Sequence, residues 1–432
     1  MKSFAVFTLG CKVNSYESEA VKLLMLGRGY SYDEINPDIV IVNTCSVTSV
    51  SAKKSRQIIR RFVSNNPQVT IALMGCYSQL DGDLLKHLPN VQIVVGTLNR
   101  HLIPDLLTTF LETGIPQYEV GASPKSWTYE ELEVTTYTDR TRAFVKIQDG
   151  CDNYCSYCII PFARGRLRSR RKEDIFSEVK TLLDHGYHEI VLTGIHTAGY
   201  GADLDHYKFD NLIADLLNTF PHLYRLRISS IEASEITDRF LEMLATDSRL
   251  ARHLHIPLQS GSSHILKRMN RHYSSDEFAR IIQKIYEKVP DIAITTDIIV
   301  GFPGETEVEF METYHLALNL AFAKIHVFPY SPRPGTASYQ FEDEVSSDIK
   351  KDRVHRLLTL SNELEEKYAW RFEGAMLEII IEQYNEHLHV FEGHSSNYLK
   401  GHIDTDKLTR GQIVAIKYRA DGSSSKVEKY IR

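Results

Sequence analysis

The chain has 432 residues, of which 43% are hydrophobic and 25% charged, a composition typical of a folded globular protein with room for two or three domains. Its net charge of −6 does not suggest a nucleic-acid binder, and no apolar run approaches the length of about 18 residues that predicts a membrane span. Six cysteines in so large a chain rarely form disulfides inside the cell, so metal ligation or redox chemistry explains them better.

The first segment, to about residue 115, alternates strand-like and helix-like stretches. Strands are predicted at 4–9, 39–43, 69–74 and 91–95, with helices at 17–26, 52–62 and 82–87. Continuous apolar strands separated by helices are typical of a doubly wound parallel sheet covered on both faces. The opening run up to Cys11 also resembles a lipoprotein signal, but its apolar part is short and follows a single lysine. A buried first strand in a cytoplasmic protein is the better interpretation.

Three cysteines of this segment, Cys11, Cys45 and Cys76, each follow a predicted strand directly. Parallel sheets of this kind bind ligands outside the carboxyl ends of their strands. Three neighbouring strands would therefore bring the three thiols together, where they could hold a [4Fe–4S] cluster that keeps one iron free of protein ligands. The alternative is three unrelated buried thiols.

A second α/β segment follows a polar stretch, residues 116–140, that is interpreted as a linker. From 141 to 369, strands are predicted at 143–148, 189–193, 224–229, 253–258, 293–300 and 324–329, with helices between them. Six such units rather than eight predict an open, partial (β/α)6 barrel with its active site at the carboxyl ends of the strands. A loop of unusual composition follows each strand, which turns alone do not easily explain.

The first of these loops holds the other three cysteines in the run CDNYCSYC, residues 151–158. Thiolates at this spacing can wrap one face of a cubic [4Fe–4S] cluster. Structural zinc is the rival interpretation, but it requires a fourth ligand at a suitable spacing, and the nearest candidate, His196, is far away in sequence. The chain thus contains two sets of three cysteines.

The last segment, from 370 to 432, is short and alternating, with strands predicted at 377–382, 387–393, 398–403, 412–418 and 426–431. Five short strands predict a small all-β barrel of the kind that often binds RNA, with a purely structural cap as the alternative. Two basic runs elsewhere are candidate phosphate contacts, with a solvated charged face as the alternative for each. Their leading members are Lys53, Lys54, Arg56, Arg164, Arg166 and Arg168.

These motifs together resemble the methylthiotransferase family of radical S-adenosylmethionine (SAM) enzymes. The sequences TLGCKVN at 8–14, NTCSVT at 43–48 and GC at 75–76 are similar to its amino-terminal domain. The sequence GCDNYCSYCIIP at 150–161 is similar to its radical SAM core, and EGH at 392–394 to its tRNA-binding TRAM domain. The resemblance covers essentially the whole chain. It implies an amino-terminal domain at 1–115, a linker at 116–140, a radical SAM core at 141–369 and a TRAM domain at 370–432.

The resemblance also implies roles for the cysteines. Cys151, Cys155 and Cys158 would hold the cluster that cleaves SAM, and Cys11, Cys45 and Cys76 an auxiliary cluster that carries the sulfur. In this family one SAM methylates that sulfur, and a second yields the radical that removes hydrogen from C2 of an adenine, to which methylthio is then transferred. By position, the SAM pocket would include Tyr157, Thr193, Gly194, Glu232, Gln259, Gly261 and Val300, with ordinary packing as the alternative for Tyr157.

The residues after Cys11 bear on the substrate. Lys-Val-Asn at 12–14 is similar to the branch acting on N6-threonylcarbamoyladenosine at position 37, beside the tRNA anticodon. The isopentenyladenosine branch more usually has Gln-Met-Asn there, and a third branch modifies a ribosomal protein. The implied partners are the anticodon stem-loop of tRNA, an electron donor such as flavodoxin or ferredoxin, and a sulfur donor, with no membrane. A different substrate on the same fold, and a non-catalytic iron–sulfur or RNA-binding protein, remain alternative hypotheses.

Overall fold

The amino-terminal unit is a parallel sheet between two layers of helices. The computed structural model describes residues 2–46, 49–121, 128–138, 140–405 and 407–432. The strands are β1 Ser3–Thr8, β2 Ser31–Tyr32, β3 Ile39–Thr44, β4 Thr70–Gly75, β5 Val91–Val95 and β6 Gln117–Glu119. The helices are α1 Lys12–Gly27, α2 Ser49–Asn65, α3 Cys76–Leu85 and α4 Ile103–Thr113. The strand order is β2-β1-β3-β4-β5-β6, with every pair parallel. The predicted doubly wound sheet is confirmed.

Alternate residues of β3 fill two separate cores, one on each face of this sheet. Val40 and Val42 pack with Ile59 of α2, whereas Ile39 and Ile41 belong to the core that α1 and α4 cover. Every residue of β3 and β4 is buried. Burial on both faces explains why these strands are continuous apolar runs without a polar alternation.

Two helices of this unit begin earlier than the sequence predicts. The helix predicted at 17–26 begins at Lys12, and the one predicted at 82–87 begins at Cys76. Their first turns are rich in polar residues and so lack the apolar spacing on which helix prediction depends. Because of this early start, the first and third cysteines of the sheet lie at the first turns of helices.

The segment at 116–140, predicted as an irregular linker, packs against both neighbouring units in its described residues. Strand β6 extends the first sheet, and Leu132, Val134 and Tyr137 are buried in the core of the second unit. The Tyr16 hydroxyl of α1 donates to the carbonyl oxygen of Leu132. These contacts fix the first unit against the second.

The second unit is a partial barrel whose six main strands run parallel. Its strands are β7 Arg142–Lys146, β10 Glu189–Thr193, β11 Arg225–Ile228, β12 His253–His255, β13 Ala293–Val300 and β14 Lys324–Pro329, and β8 Gln148–Asp149 and β9 Arg168–Ser169 form a small separate ladder. The main strands form two sheets, β11-β10-β7 and β12-β13-β14. The two sheets are connected by backbone hydrogen bonds of Leu226 with Arg249 and Ala251. The predicted partial barrel is confirmed.

The helices of the second unit follow its strands. They are α5 Ile160–Arg164, α6 Lys172–Asp184, α7 Phe209–Thr219, α8 Asp238–Thr246, α9 Ser263–Arg268, α10 Ser275–Lys288, α11 Glu307–Leu320 and α12 Ser347–Trp370. Among the described residues, we find no helix with the length and apolar character needed to cross a membrane.

The carboxy-terminal unit is a curled antiparallel sheet. Its strands are β15 Met376–Asn385, β16 Val390–His394, β17 Lys400–Ile403, β18 Ile413–Lys417 and β19 Val427–Tyr430, in the order β17-β16-β15-β18-β19. A bridge between Ile403 and Ser425 draws the two edges of the sheet together. The interior contains Ile379, Ile381 and Val414. The predicted small β-barrel is confirmed.

Two buried arginines fasten this barrel to the second unit. Arg225 and Arg227 of β11 pair with Glu189 of β10 at N···O distances of 3.0 and 2.6 Å. Their guanidinium groups also donate to backbone carbonyls of the carboxy-terminal unit, those of Glu378, His394, Ser395 and Ser396. Glu189 therefore offsets part of the positive charge of the two arginines that hold the two units together.

Glu189 is expected to make stability depend on acidic pH. Burial raises its pKa, but the charges of Arg227 and Arg225 outweigh that effect and bring the pKa to about 2, from an ordinary 4.5. Because the folded-state pKa is depressed, the contribution is complete above about pH 4.5 and is lost as pH falls towards 2. We expect Glu189→Gln to cost about 3 kcal/mol at neutral pH and to flatten this acid-dependent loss. Urea unfolding at about pH 7, 5 and 3 measures both effects.

The control for this experiment is Glu386→Gln, since Glu386 is exposed on the carboxy-terminal unit. The free energy of unfolding of this variant should equal that of the wild-type protein at every pH. Equal stability of the Glu189→Gln and wild-type proteins at neutral pH would contradict the role given to this carboxylate.

Candidate active site

Three cysteines meet at the carboxyl edge of the first sheet. Cys11 follows β1, Cys45 follows β3 and Cys76 follows β4, and these three strands are adjacent. A Cβ atom placed on Gly10 would lie 3.0 Å from Sγ of Cys45. Burial raises the pKa of Cys76 to about 12, against the charge of Arg164 and with the help of Cys45 and Cys11. Cys45 and Cys76 are buried, and Cys11 is exposed.

The other three cysteines lie in the loop between β8 and α5. Gly150 begins this loop with φ of +72°, and a Cβ atom there would lie 2.0 Å from the carbonyl oxygen of Arg166, so only glycine fits. The amide of Cys158 donates to the carbonyl of Cys155 at 2.9 Å, and the amide of Asn153 lies 3.5 Å from Sγ of Cys151. The loop curls tightly, and all three cysteines are partly exposed.

Cationic side chains face the sulfurs of this loop. Nη1 of Arg271 lies 3.4 Å from Sγ of Cys155, and the same guanidinium pairs with Glu232. His196 pairs with Glu235 at 2.7 Å, and burial lowers the pKa of its imidazole while Cys151 and Glu235 together raise it to about 10. Burial raises the pKa of the Cys155 thiol, and the charge of Arg271 opposes that rise and so favours the thiolate, the form that binds metal.

Both sets fit an iron–sulfur cluster. Burial raises the pKa of Cys76 and of Cys158 to about 12, so these side chains would stay protonated unless a metal displaced the proton. Each set offers three sulfurs, and the chain contains no seventh cysteine. A four-iron cluster at either set would therefore have one iron that no cysteine of this chain binds.

Arg164 connects the two sets of cysteines. It ends α5, shortly after Cys158, and its Nε donates to Sγ of Cys76 at 3.2 Å. Its Nη1 lies 2.8 Å from Glu17 and 2.9 Å from Asp149. One side chain of the second unit therefore contacts both the sulfur of Cys76 and a helix of the first unit.

The network around Arg164 is buried and contains charges of both signs. Its described members include the cations Arg100, Lys146, Arg164 and Arg168 and the carboxylates Glu17, Glu130 and Asp149. The guanidinium of Arg164 contacts Sγ of Cys76 in this network. Positive charge at this distance favours the thiolate of Cys76, the form that binds metal.

Two predicted phosphate contacts are therefore wrong. The side chain of Arg164 is 0% exposed, and that of Arg168 is 7% exposed and donates to the carbonyls of Arg164 and Arg166. Neither can reach a phosphate at the surface. Arg166 differs, since its side chain is 71% exposed beside Asp152, and it remains a candidate.

The basic run on α2 is mostly at the surface. Lys53 and Lys54 are exposed, and Arg56 is half-buried. Nη1 of Arg56 donates to the hydroxyl of Tyr77 at 2.8 Å. Tyr77 follows Cys76 directly, so this arginine also supports the cysteine edge of the sheet.

A cavity of about 400 Å³ lies between the two sets of cysteines. Cys11, Lys12 and Val13 form its wall on the first unit, and the loops after the barrel strands form the opposite wall. It shares His196 and Glu232 with a smaller cavity lined by Cys155. It shares Ile160 and Asp297 with one of about 200 Å³ lined by Cys158. Both sets of cysteines therefore border adjoining cavities.

Five of the predicted SAM-pocket residues line these cavities. Thr193, Gly194 and Glu232 border the central cavity. Tyr157 and Gln259 border the one beside Cys158. Gln259 has φ of +66°, an uncommon backbone conformation for this residue type that turns the chain at the end of the barrel strand.

Neither of the other two predicted SAM-pocket residues, Gly261 and Val300, lines these cavities, so their contact with SAM stays a prediction. A Cβ atom on Gly261 would lie 2.5 Å from Cα of Thr313, so this glycine allows close approach of the chain to α11. Val300 is completely buried in the barrel core. The sequence alone does not show whether a glycine allows a helix to pack closely against it or allows a ligand to bind there.

Two charged residues of the site were not predicted from the sequence. Arg271 follows α9 in a stretch that no motif marks, and only the fold brings it to Cys155. Asp297 lies on the walls of two of the cavities. It could have been found, because it is an acidic residue within the apolar strand AITTDIIV near its carboxyl end.

Comparison with known families agrees with this division of the chain. Residues 145–317 match the Radical SAM superfamily, and residues 3–96 match the Uncharacterized protein family UPF0004. The threonylcarbamoyladenosine tRNA methylthiotransferase MtaB of Bacillus subtilis is 44% identical over 100% of this chain and 97% of its own length. The protein of the same name from Thermotoga maritima is 36% identical over 96% and 95%. A tRNA-2-methylthio-N6-dimethylallyladenosine synthase of Clostridium botulinum is 35% identical over 96% and 94%.

Solved structures share the fold. The radical SAM methyltransferase TsrM from Kitasatospora setae, with cobalamin and a [4Fe–4S] cluster bound, has a TM-score of 0.56 at 15% identity, over 78% of this chain and 77% of TsrM. The cobalamin-dependent SAM radical enzyme OxsB has a TM-score of 0.51 at 11% identity, over 85% of this chain and 61% of OxsB. At such identities the likeness concerns the fold alone.

The two cysteine sets match the cofactors of this family. The radical SAM superfamily implies a [4Fe–4S] cluster and SAM, and methylthiotransferases use two clusters. The likeness to methylthiotransferases extends over essentially the whole chain. The chain therefore belongs to the radical SAM methylthiotransferase family, as an MtaB-like member.

Proposed function

We propose that this enzyme transfers a methylthio group to C2 of N6-threonylcarbamoyladenosine at position 37 of tRNA, beside the anticodon. The observation that carries the proposal is its 44% identity, along the full chain, to the Bacillus subtilis enzyme named for this substrate. The proposed reaction combines radical chemistry with sulfur transfer, so it requires two cofactor sites close together. The two sets of cysteines, which border adjoining cavities, meet this requirement.

In this proposal Cys151, Cys155 and Cys158 hold the cluster that binds SAM, and Cys11, Cys45 and Cys76 hold the auxiliary cluster. When bound, these cofactors supply the radical and the sulfur, because acid–base side chains cannot functionalise an unactivated carbon. The protein contributes position and charge. Arg164 fixes Cys76 through its 3.2 Å hydrogen bond.

The charged side chains beside the second set would orient SAM. Arg271 contacts Cys155 and pairs with Glu232, so the carboxylate of Glu232 is fixed on the cavity wall. Thr193, Gly194, Tyr157 and Gln259 supply the rest of the proposed SAM surface.

The substrate base would enter from the side of the carboxy-terminal unit. A cavity of about 470 Å³ extends from Lys12 and His255 to Tyr398 and Lys400 of that unit. The ring of Tyr398 stacks on His253 with centroids 4.5 Å apart. A base inside this space must leave its own stack, as for other enzymes that react on a nucleobase.

The remaining elements of the proposal follow from the substrate. The proposed domains are an amino-terminal domain at 1–115, a linker at 116–140, a radical SAM core at 141–369 and a TRAM domain at 370–432. The anticodon stem-loop would bind to the TRAM domain. Lys53, Lys54, Arg56 and Arg166 are proposed to contact its phosphates. The reaction also needs a reductant such as flavodoxin or ferredoxin and a sulfur donor. We propose that it occurs in the cytoplasm.

Nucleoside analysis of total tRNA from cells that lack this gene tests the proposal. We expect loss of 2-methylthio-N6-threonylcarbamoyladenosine and accumulation of its precursor without the methylthio group. Loss of the methylthiolated isopentenyladenosine instead would show that the proposed substrate is wrong. If neither nucleoside changes after any second gene for the activity is also removed, a tRNA substrate is excluded.

A further inference from the structure

Lys12 lies where the central cavity meets the cavity that extends to the carboxy-terminal unit. It follows Cys11 at the start of α1 and lines both the cavity between the cysteine sets and the cavity that extends to the carboxy-terminal unit. Its side chain is exposed to this space rather than packed. Any molecule that reaches Cys11 from the carboxy-terminal unit therefore passes the Lys12 ammonium group.

The charge of Lys12 is not matched by a carboxylate. The other lysines on these two walls are paired, Lys324 with Glu365 at 3.1 Å and Lys400 with Glu392 at 2.9 Å. Among the described residues, no carboxylate lies within ion-pair distance of Lys12. A cation enclosed by protein gains more from a bound anion than it would in open water.

The two arginines nearest the ring of Tyr398 are also occupied. Arg142 pairs with Glu382, and Arg227 pairs with Glu189. Both acidic residues on the central wall already face a cation, Asp297 with His255 at 3.3 Å and Glu232 with Arg271. Lys12 is thus the group on these walls that is best suited to meet a negative charge on a ligand.

We propose that the Lys12 ammonium group binds the carboxylate of the threonyl group and thereby selects N6-threonylcarbamoyladenosine over adenosines with uncharged N6 substituents. This rests on the proposed function, which supplies the substrate. The threonyl group ends in a free carboxylate, whereas an isopentenyl group is a hydrocarbon. An unpaired cation favours binding of the carboxylate. It opposes binding of the isopentenyl group, because the hydrocarbon would leave the cation enclosed without a partner.

The chemistry of adenine is compatible with this position. C2 and C6 both adjoin N1, so a substituent on N6 begins only a few bonds from C2. A base with C2 close to the cluster held by Cys11 would carry that substituent beside the next residue of the chain. Lys12 specifies the substrate in this proposal and takes no part in the chemical step.

The test combines a variant with a matched change in the substrate. Holoenzyme with both clusters is given an anticodon stem-loop carrying the threonylcarbamoyl group, or the same RNA in which the threonyl carboxylate is replaced by a carboxamide. For the wild-type protein we expect the carboxamide to lower kcat/KM for methylthio transfer by about 10- to 100-fold. On the carboxylate RNA, Lys12→Met should lower kcat/KM by about the same factor. On the carboxamide RNA, it should lower kcat/KM little further below the wild-type value for that RNA.

Control measurements separate recognition from folding. Lys12→Met should keep the iron content of the wild-type protein, and Lys12→Arg should recover much of the activity on the carboxylate RNA. Lys180→Met, at an exposed position on α6, should behave as wild type. Equal use of both RNAs by the wild-type protein would overturn the proposal, even if the variants failed to fold. Absence of product from either RNA would overturn the proposed function instead.

Discussion

Replacing Cys155 with alanine is expected to abolish the formation of 5′-deoxyadenosine and of the methylthiolated nucleoside. In the proposed assignment three thiolates hold the cluster at 151–158, and loss of one would remove an iron ligand that no other cysteine of the chain can replace. The auxiliary set is on another sheet and should keep its cluster. Iron content should fall to about half after reconstitution. Anaerobic assays of 5′-deoxyadenosine and of iron measure both effects.

Cys45→Ala is the matched control for this experiment. It removes a buried ligand from the other set, so it should also halve the iron and abolish methylthio transfer. It should, however, leave SAM cleavage intact, because the set at 151–158 is unchanged. If the Cys155→Ala enzyme still formed product, or if both variants lost SAM cleavage equally, the two roles would be wrongly assigned.

Replacing Arg164 with methionine is expected to have the largest effect on stability. The change leaves Glu17 and Asp149 buried without their shared partner and removes the hydrogen bond to Cys76. Breaking a buried ion pair on one side costs about 3–5 kcal/mol. We expect a lower melting temperature and loss of the auxiliary cluster before that of the other.

Arg166→Met provides the comparison two residues away. Its side chain is 71% exposed, so its stability should stay within about 0.5 kcal/mol of wild type. Under the proposed function it should instead weaken tRNA binding, most visibly at low salt. Equal melting temperatures for the Arg164 and Arg166 variants would contradict the structural role of Arg164.

The positions of the cysteines could be predicted from sequence because they follow from strand order. Apolar runs separated by helices predict parallel strands, and the carboxyl ends of such strands lie at one edge. Cys11, Cys45 and Cys76 each follow a strand, so their meeting required only that β1, β3 and β4 be neighbours. The set at 151–158 is local and needed no tertiary information.

The arginine run shows where sequence reasoning fails. Arg164, Arg166 and Arg168 alternate along the chain, and composition alone suggests one basic surface. Their surroundings differ because Glu17 and Asp149, which are distant from each other in sequence, enclose Arg164. A charge can be recognised in a sequence, whereas its partner depends on tertiary packing.

Lys12 is an intermediate case. Its place after Cys11 marks it as close to the auxiliary set, and the sequence therefore predicts proximity. That its side chain faces two cavities while Lys324 and Lys400 are paired follows only from the assembled units.

The most direct test of the proposed reaction follows hydrogen from the substrate. Reconstituted enzyme, SAM and a reductant are incubated with tRNA whose N6-threonylcarbamoyladenosine carries deuterium at C2, and both products are analysed by mass spectrometry. We expect 2-methylthio-N6-threonylcarbamoyladenosine in the tRNA and deuterium in the 5′-deoxyadenosine formed with it. Formation of 5′-deoxyadenosine without deuterium and without a methylthiolated nucleoside would contradict the proposed reaction.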